Sequence, residues 1–121
     1  MEKAEDNQMR EPKWSLDEAL LLVDAFLSMK QPRTCQGFQE KAAQLSSFLR
    51  DKAVSEGKLI SNRFRNVNGI FLKLQNIEYI DSCGKDGMRN YSRNDMEAYR
   101  LHTSNPLLFN RKVNELKNKI R

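Results

Sequence analysis

The residues whose types and spacing best fit a chemical role lie in one segment of helical period, residues 61–80. At about 100° per residue, one side of this helix carries no carboxylate before Glu78. Arginine and lysine pair with phosphate oxygens, and asparagine amides bond base edges or sugars. This polar stripe is therefore suited to a polyanion. Its predicted contact residues are Arg63, Arg65, Asn66, Asn68, Lys73 and Asn76.

The same stripe has structural alternatives that the sequence leaves open. Its polar side chains can simply solvate an exposed helix face, and Asn76 can instead bond backbone groups of the following turn. Leu72 lies on the same side, where it can touch a thymine methyl group, contact a partner protein, or be buried by the fourth or fifth helix.

Few residues of the chain could perform catalysis or bind a metal. Cys35 and Cys83 are the only cysteines and His102 is the only histidine, whereas a zinc site needs four ligands at close spacing. The sequence has no Gly-rich phosphate loop, Gly-x-Ser-x-Gly elbow or His-Glu-x-x-His helix. We therefore predict no catalytic residue, no metal and no cofactor, and a protein that is not an enzyme.

Positive charge is concentrated in the second half of the chain. Residues 58–121 hold thirteen Lys and Arg against six Asp and Glu, whereas residues 1–57 hold eight against ten. This asymmetry favours a basic surface that faces an acidic partner, with nucleic acid as the first candidate. A solvated basic face is the alternative.

The composition of the 121 residues, 39% hydrophobic and 31% charged, excludes a disordered tail or a fibre and allows one core. No apolar run is long enough to span a membrane, and the polar opening lacks the apolar centre of a secretory signal. We therefore expect a cytoplasmic protein without membrane association. Residues 1–13 are predicted to form a flexible N-terminus and residues 14–121 a single helical domain.

The spacing of apolar residues predicts five helices and no sustained strand. We place them at residues 15–29, from a loop at 30–36 to residue 54, from Ser61-Asn62 to residue 80, at 96–101, and from Pro106 to the chain end. Ser15, Ser92 and Asn105 are the expected capping residues of the first, fourth and fifth helices. The predicted fold is all-α and compact, and its first three helices are helix-turn-helix-like, in the manner of Myb/SANT modules.

Three sequence segments carry a resemblance to a known family. They are Trp14-Ser15-Leu16-Asp17-Glu18, Lys73-Leu74-Gln75-Asn76 within residues 64–77, and Gly87-Met88-Arg89-Asn90-Tyr91-Ser92 followed by Asp95. Residues 14–101 resemble the N-terminal helical module that precedes the catalytic domain in many HNH-type restriction endonuclease-like proteins, although Gly87-Met88 replaces the family's Gly-Leu. The resemblance implies an accessory domain that positions DNA. It implies no catalytic residue, because the family's chemistry lies in a separate downstream domain.

Together these features predict a noncatalytic accessory module that binds double-stranded DNA and is related to, or excised from, a restriction or nucleic-acid-processing protein. Its further partners would be another protein or a downstream catalytic domain. The alternative is a protein-interaction or oligomerisation module, in which Leu72 and the apolar surface of residues 20–27 form a groove for a partner.

Overall fold

The computed structural model describes residues 11–119, which form five α-helices and no strand. The helices are α1 (Leu16–Leu27), α2 (Cys35–Ser55), α3 (Val67–Asp81), α4 (Arg93–Ser104) and α5 (Pro106–Asn118). The predicted all-α class with five helices in one domain is confirmed. The helix-turn-helix-like arrangement of the first three helices stays a prediction.

The first helix lies at the centre of the fold. Seven of the twelve residues of α1 are buried, far more than the single stripe of a surface helix. The reason is that α1 contacts each of the other four helices, while α2 packs on α3 and α4 packs on α5. Most of residues 20–27 therefore belong to the core, and among the apolar ones only Leu21 and Ala25 also line a groove at the surface.

Local capping sets three of the helix starts, as predicted. The Ser15 hydroxyl accepts from the Glu18 amide at 3.1 Å, and the Glu18 carboxylate accepts from the Ser15 amide at 2.9 Å. Ser92 and Asp95 form the same reciprocal pair at the start of α4. Asn105 caps α5, with Pro106 in the first turn, where a missing N–H costs nothing.

The third helix begins later than the sequence predicts. Arg65 has a φ of +46°, a left-handed conformation that interrupts a right-handed helix, so α3 starts after Asn66 instead of after Ser61. Two side chains of α2 hold the preceding turn: Ser46 donates to the Arg65 carbonyl at 2.7 Å, and Arg50 donates to the Phe64 carbonyl at 2.6 Å.

Part of the predicted flexible N-terminus, residues 1–10, lies outside the described residues. Its described part is hydrogen-bonded to the domain: the Pro12 and Lys13 carbonyls accept from Arg65, and Glu11 accepts from the Ser61 hydroxyl. At the other end, α5 stops at Asn118, before the chain end. None of the described helices combines the length and the apolar character that crossing a membrane requires.

Candidate nucleic-acid interface

Arg65 is an internal residue and not part of an exposed stripe. Only 4% of its side chain is exposed. Its Nε and Nη2 atoms donate to the two carboxylate oxygens of Glu18 at 2.9 and 2.8 Å, and its guanidinium lies 4.9 Å from the centroid of the Trp14 ring. The prediction that Arg65 faces solvent is wrong because Arg65 precedes α3, where the helical rotation of 100° per residue does not apply.

The two asparagines at the ends of the predicted stripe also serve the fold. Asn76 is 6% exposed, and its Nδ2 donates to the Met88 carbonyl at 2.9 Å. Its prediction as an exposed residue is wrong, whereas the alternative that it binds the backbone of the following turn is confirmed. Asn66 caps α3, since its Oδ1 accepts from the Gly69 amide at 2.8 Å.

Lys73 joins α3 to the start of α4. Its Nζ lies 2.6 Å from Oδ2 of Asp95, a carboxylate that is fully buried and also accepts from the Ser92 amide at 2.9 Å. Because the carboxylate is also part of the α4 cap, the ammonium group of Lys73 stabilises a helix start as well as a helix contact.

Two of the six predicted residues remain open to solvent. Arg63 has a side chain that is 64% exposed, with Nε 4.0 Å from a Glu11 oxygen, and Asn68 is exposed in the first turn of α3. Leu72 is 40% exposed, so of its alternatives burial by the fourth or fifth helix is wrong. The structure does bring four of the six residues to one small cavity of about 320 Å³ beside Trp14: Arg63, Arg65, Asn66 and Lys73.

A second surface lies on the loop between α3 and α4, residues 82–92, which we call the anchored loop. The Met88 amide donates to the Gln75 carbonyl at 3.0 Å, and the Met88 carbonyl accepts from Asn76. Both backbone groups of Met88 are therefore bonded to α3. Gly87 has a φ of +84° and touches the backbone of α3. The ring centroids of Tyr91 and Tyr79 are 6.1 Å apart. The loop is therefore fixed to α3 by four separate contacts.

The exposed side of the anchored loop is polar and carries Lys85 and Arg89 against one carboxylate, Asp86. Arg89, Asn90 and Tyr91 are exposed, and exposed Arg93 follows in the first turn of α4. Within residues 11–119, neither Arg89 nor Arg93 lies within 4.0 Å of a carboxylate oxygen. The apolar periodicity of the helices gives no signal for these residues, and none of them is among the six predicted contact residues.

Substitution of Gly87 by alanine is expected to detach the anchored loop from α3. The added Cβ would lie 2.3 Å from the Gln75 carbonyl oxygen and 2.7 Å from the Tyr79 nitrogen, and backbone atoms cannot rotate away. Together with the positive φ, this costs about 2 kcal/mol or more. Urea unfolding measures the cost, and amide exchange at Met88 reports the detachment.

Gly57→Ala is the matched control for the Gly87 substitution. Gly57 has the same φ of +84°, but nothing lies within 4 Å of its added Cβ, so only the conformational cost remains. Equal destabilisation by the two substitutions would contradict the close approach of the loop to α3.

The described residues contain neither a metal-binding cluster nor an internal disulfide. No group of three or more His, Cys, Asp or Glu within residues 11–119 is arranged to hold a metal ion, and Cys35 and Cys83 are both free and exposed.

Comparison of the chain with protein-family models, with curated proteins and with solved structures gives no match. The family resemblance of residues 14–101 therefore stays a prediction, and the interface rests on geometry and charge.

Proposed function

We propose that this chain is a noncatalytic module that binds double-stranded DNA, and that the anchored loop with the start of α4 is its principal phosphate-contact surface. The observation that supports this most directly is the pair Arg89 and Arg93. Both cations are exposed, without an acidic partner among residues 11–119, and attached to a backbone segment that α3 holds in place.

The charge of the surrounding chain favours a polyanionic partner. Residues 82–119 hold eight Lys and Arg against four Asp and Glu. Arg93 and exposed Arg100 are seven residues apart on α4, so they lie on the same helix face about two turns apart, with exposed Glu97 between them. Cations on such a path can release counterions from several phosphates, and the fixed loop loses little conformational entropy on binding.

The polar stripe predicted in residues 61–80 supplies fewer groups for DNA contact than the sequence predicts. The polar groups of Arg65, Lys73 and Asn76 already bind Glu18, Asp95 and the Met88 carbonyl. A phosphate could compete for them only by leaving a buried carboxylate or carbonyl unpaired, which is costly. Exposed Arg63 is the member of the stripe that best fits a phosphate contact.

Removal of Arg89 and Arg93 is expected to weaken DNA binding and its salt dependence together. In fluorescence anisotropy with a labelled duplex of about 20 base pairs, each lost phosphate contact lowers the slope of log affinity against log salt by about one. The double variant Arg89→Ala/Arg93→Ala should therefore lose about two from that slope. Both side chains are exposed, so the fold should persist in circular dichroism.

Lys30→Ala is the matched control, because Lys30 is exposed in the loop between α1 and α2 and has no carboxylate within 4.0 Å among residues 11–119. We expect its slope to equal that of the unsubstituted chain. Equal slopes for the control and the double variant would contradict the proposed surface, and absence of binding at about 50 mM salt would contradict DNA binding itself.

A groove favours protein interaction as the second candidate function. The groove has a volume of about 520 Å³ and runs along α1 between α2 and Lys117 of α5. Leu21, Ala25, Leu45 and Phe48 supply its apolar lining. Association through apolar contacts depends little on salt, whereas association through phosphate contacts weakens as salt rises. Sedimentation velocity that shows a stable dimer at both about 50 and 200 mM salt would favour this candidate.

A further inference from the structure

The last helix, α5, has an outward face whose side chains are exposed, whereas most of the polar side chains in the α3 stripe are bonded within the fold. Phe109, Val113 and Leu116 are buried on the inner side of α5. On the opposite side, steps of three and four residues bring five exposed side chains into one stripe. They are Leu107, Asn110, Arg111, Asn114 and Asn118.

The polar groups of this stripe are available for a partner. Within residues 11–119, the side chains of Asn110, Arg111 and Asn114 take part in no hydrogen bond and no ion pair of the fold. This distinguishes them from Arg65, Lys73 and Asn76, whose groups are already bound. Leu107, at the start of the stripe, is 82% exposed.

The chemistry of the stripe matches the edges of base pairs. Asparagine forms two hydrogen bonds with adenine, arginine does so with guanine, and an apolar side chain contacts the thymine methyl group. One carboxylate adjoins the stripe: exposed Glu115 lies four residues after Arg111, about 40° from it around the helix. The stripe therefore combines side chains that can bind base edges with one positive charge, that of Arg111.

The fold holds α5 firmly enough to present these side chains in fixed positions. The helix packs on both α1 and α4, and Lys117 forms an ion pair of 2.8 Å with Asp24 of α1. Its thirteen residues make a rod of roughly 20 Å, and the major groove of B-DNA is wide enough to admit an α-helix.

We infer that α5 enters the major groove and reads base pairs, with Asn110, Arg111 and Asn114 on base edges and Leu107 on a thymine methyl group. This inference rests on the proposed DNA binding and extends it, because it assigns sequence preference to α5. The general, salt-dependent affinity then belongs to Arg89 and Arg93.

The test is selection from a library of duplexes with about 12 randomised base pairs, carried out with the full chain at about 50 mM salt. The unsubstituted chain should enrich a motif. Asn110→Ala/Asn114→Ala should lose discrimination at the contacted positions by about tenfold each, while its affinity for random duplex and its salt slope remain unchanged. Alanine favours helix, so these exposed substitutions should leave α5 intact.

Gln39→Ala removes an exposed amide from α2 and is the control, which should enrich the motif of the unsubstituted chain. If the chain binds duplex DNA but enriches no motif, or if the asparagine variant keeps the motif, the role of α5 is overturned while DNA binding stands. If the unsubstituted chain binds no duplex at all, the proposed function fails and the role of α5 fails with it.

Discussion

Replacement of Arg65 by methionine should destabilise the domain by about 3 kcal/mol or more. Methionine fills part of the space but removes both Arg65 hydrogen bonds from the partly buried Glu18 carboxylate, which keeps only the Ser15 amide, and breaking a buried pair from one side is costly. The carbonyls of Pro12 and Lys13 lose their donor as well. Urea unfolding followed by circular dichroism measures the loss.

The pH dependence of stability gives a second measure of the same pair. Burial alone raises the pKa of Glu18, but hydrogen bonds from Arg65 and the Ser15 amide, with the charge of Arg65, hold that pKa below 4.5. The unfolded chain therefore binds this proton at higher pH than the folded chain. The contribution is present above pH 4.5 and is lost as pH falls below it, so acid sensitivity should weaken in Arg65→Met.

Lys52→Met is the matched control for Arg65→Met. Lys52 pairs with Glu56 at 2.7 Å on the surface of α2, where solvent screens the interaction and the loss is less than about 1 kcal/mol. Equal losses from the two substitutions would show that the Arg65–Glu18 pair stabilises the domain no more than a surface ion pair does. Duplex affinity of the folded Arg65→Met chain should change less than twofold.

Replacement of Lys73 by methionine should have an effect of similar size, about 3–5 kcal/mol. Asp95 is fully buried, its Oδ2 accepts from Lys73 and the Ser92 amide, and its Oδ1 has no partner within the described residues. Without Lys73, one amide donor remains for a buried negative charge. The measurement is the free energy of unfolding in urea.

A second substitution distinguishes the loss of charge compensation from a loss of packing. Asp95→Asn in the Lys73→Met background removes the buried charge and retains an oxygen that can accept from the Ser92 amide, so it should restore a measurable part of the lost stability. If Lys73→Met instead leaves stability within 1 kcal/mol and abolishes DNA binding, Lys73 is a contact residue as the sequence predicted.

The helices were predictable where local contacts decide them. Ser15 with Glu18, Ser92 with Asp95, and Asn105 with Pro106 act over three residues or fewer, and each caps a helix as the sequence predicts. The predicted bounds of the fourth helix, 96–101, are too narrow, since α4 begins directly after its Ser92 cap and ends at Ser104. The start of α3 depends instead on contacts with residues far away in the chain. Arg65 binds Glu18, 47 positions earlier, and Ser46 binds the Arg65 carbonyl across 19 positions. Helical periodicity contains no information on such partners.

The same limit explains the outcome for the polar stripe. An asparagine or lysine opposite an apolar face has the same sequence pattern whether it is solvated or bonded to another element. Asn76 is buried because the anchored loop crosses it, and Lys73 because Asp95 brings the start of α4 against it. In α5 the same periodicity does place Asn110 and Asn114 in solvent. Whether a polar stripe is exposed therefore depends on whether the following segment packs against it.

The measurement that tests the central claim most directly is an amide chemical-shift titration of the labelled chain with a short duplex at about 50 and 200 mM salt. We predict shifts centred on the anchored loop, Arg93 and the outward face of α5, which weaken strongly at the higher salt. The core side chains of Arg65 and Asn76 should keep their hydrogen bonds. Shifts confined to the Trp14 cavity and α3, or no shifts at either salt, would contradict the assignment of DNA binding to the anchored loop, the start of α4 and α5.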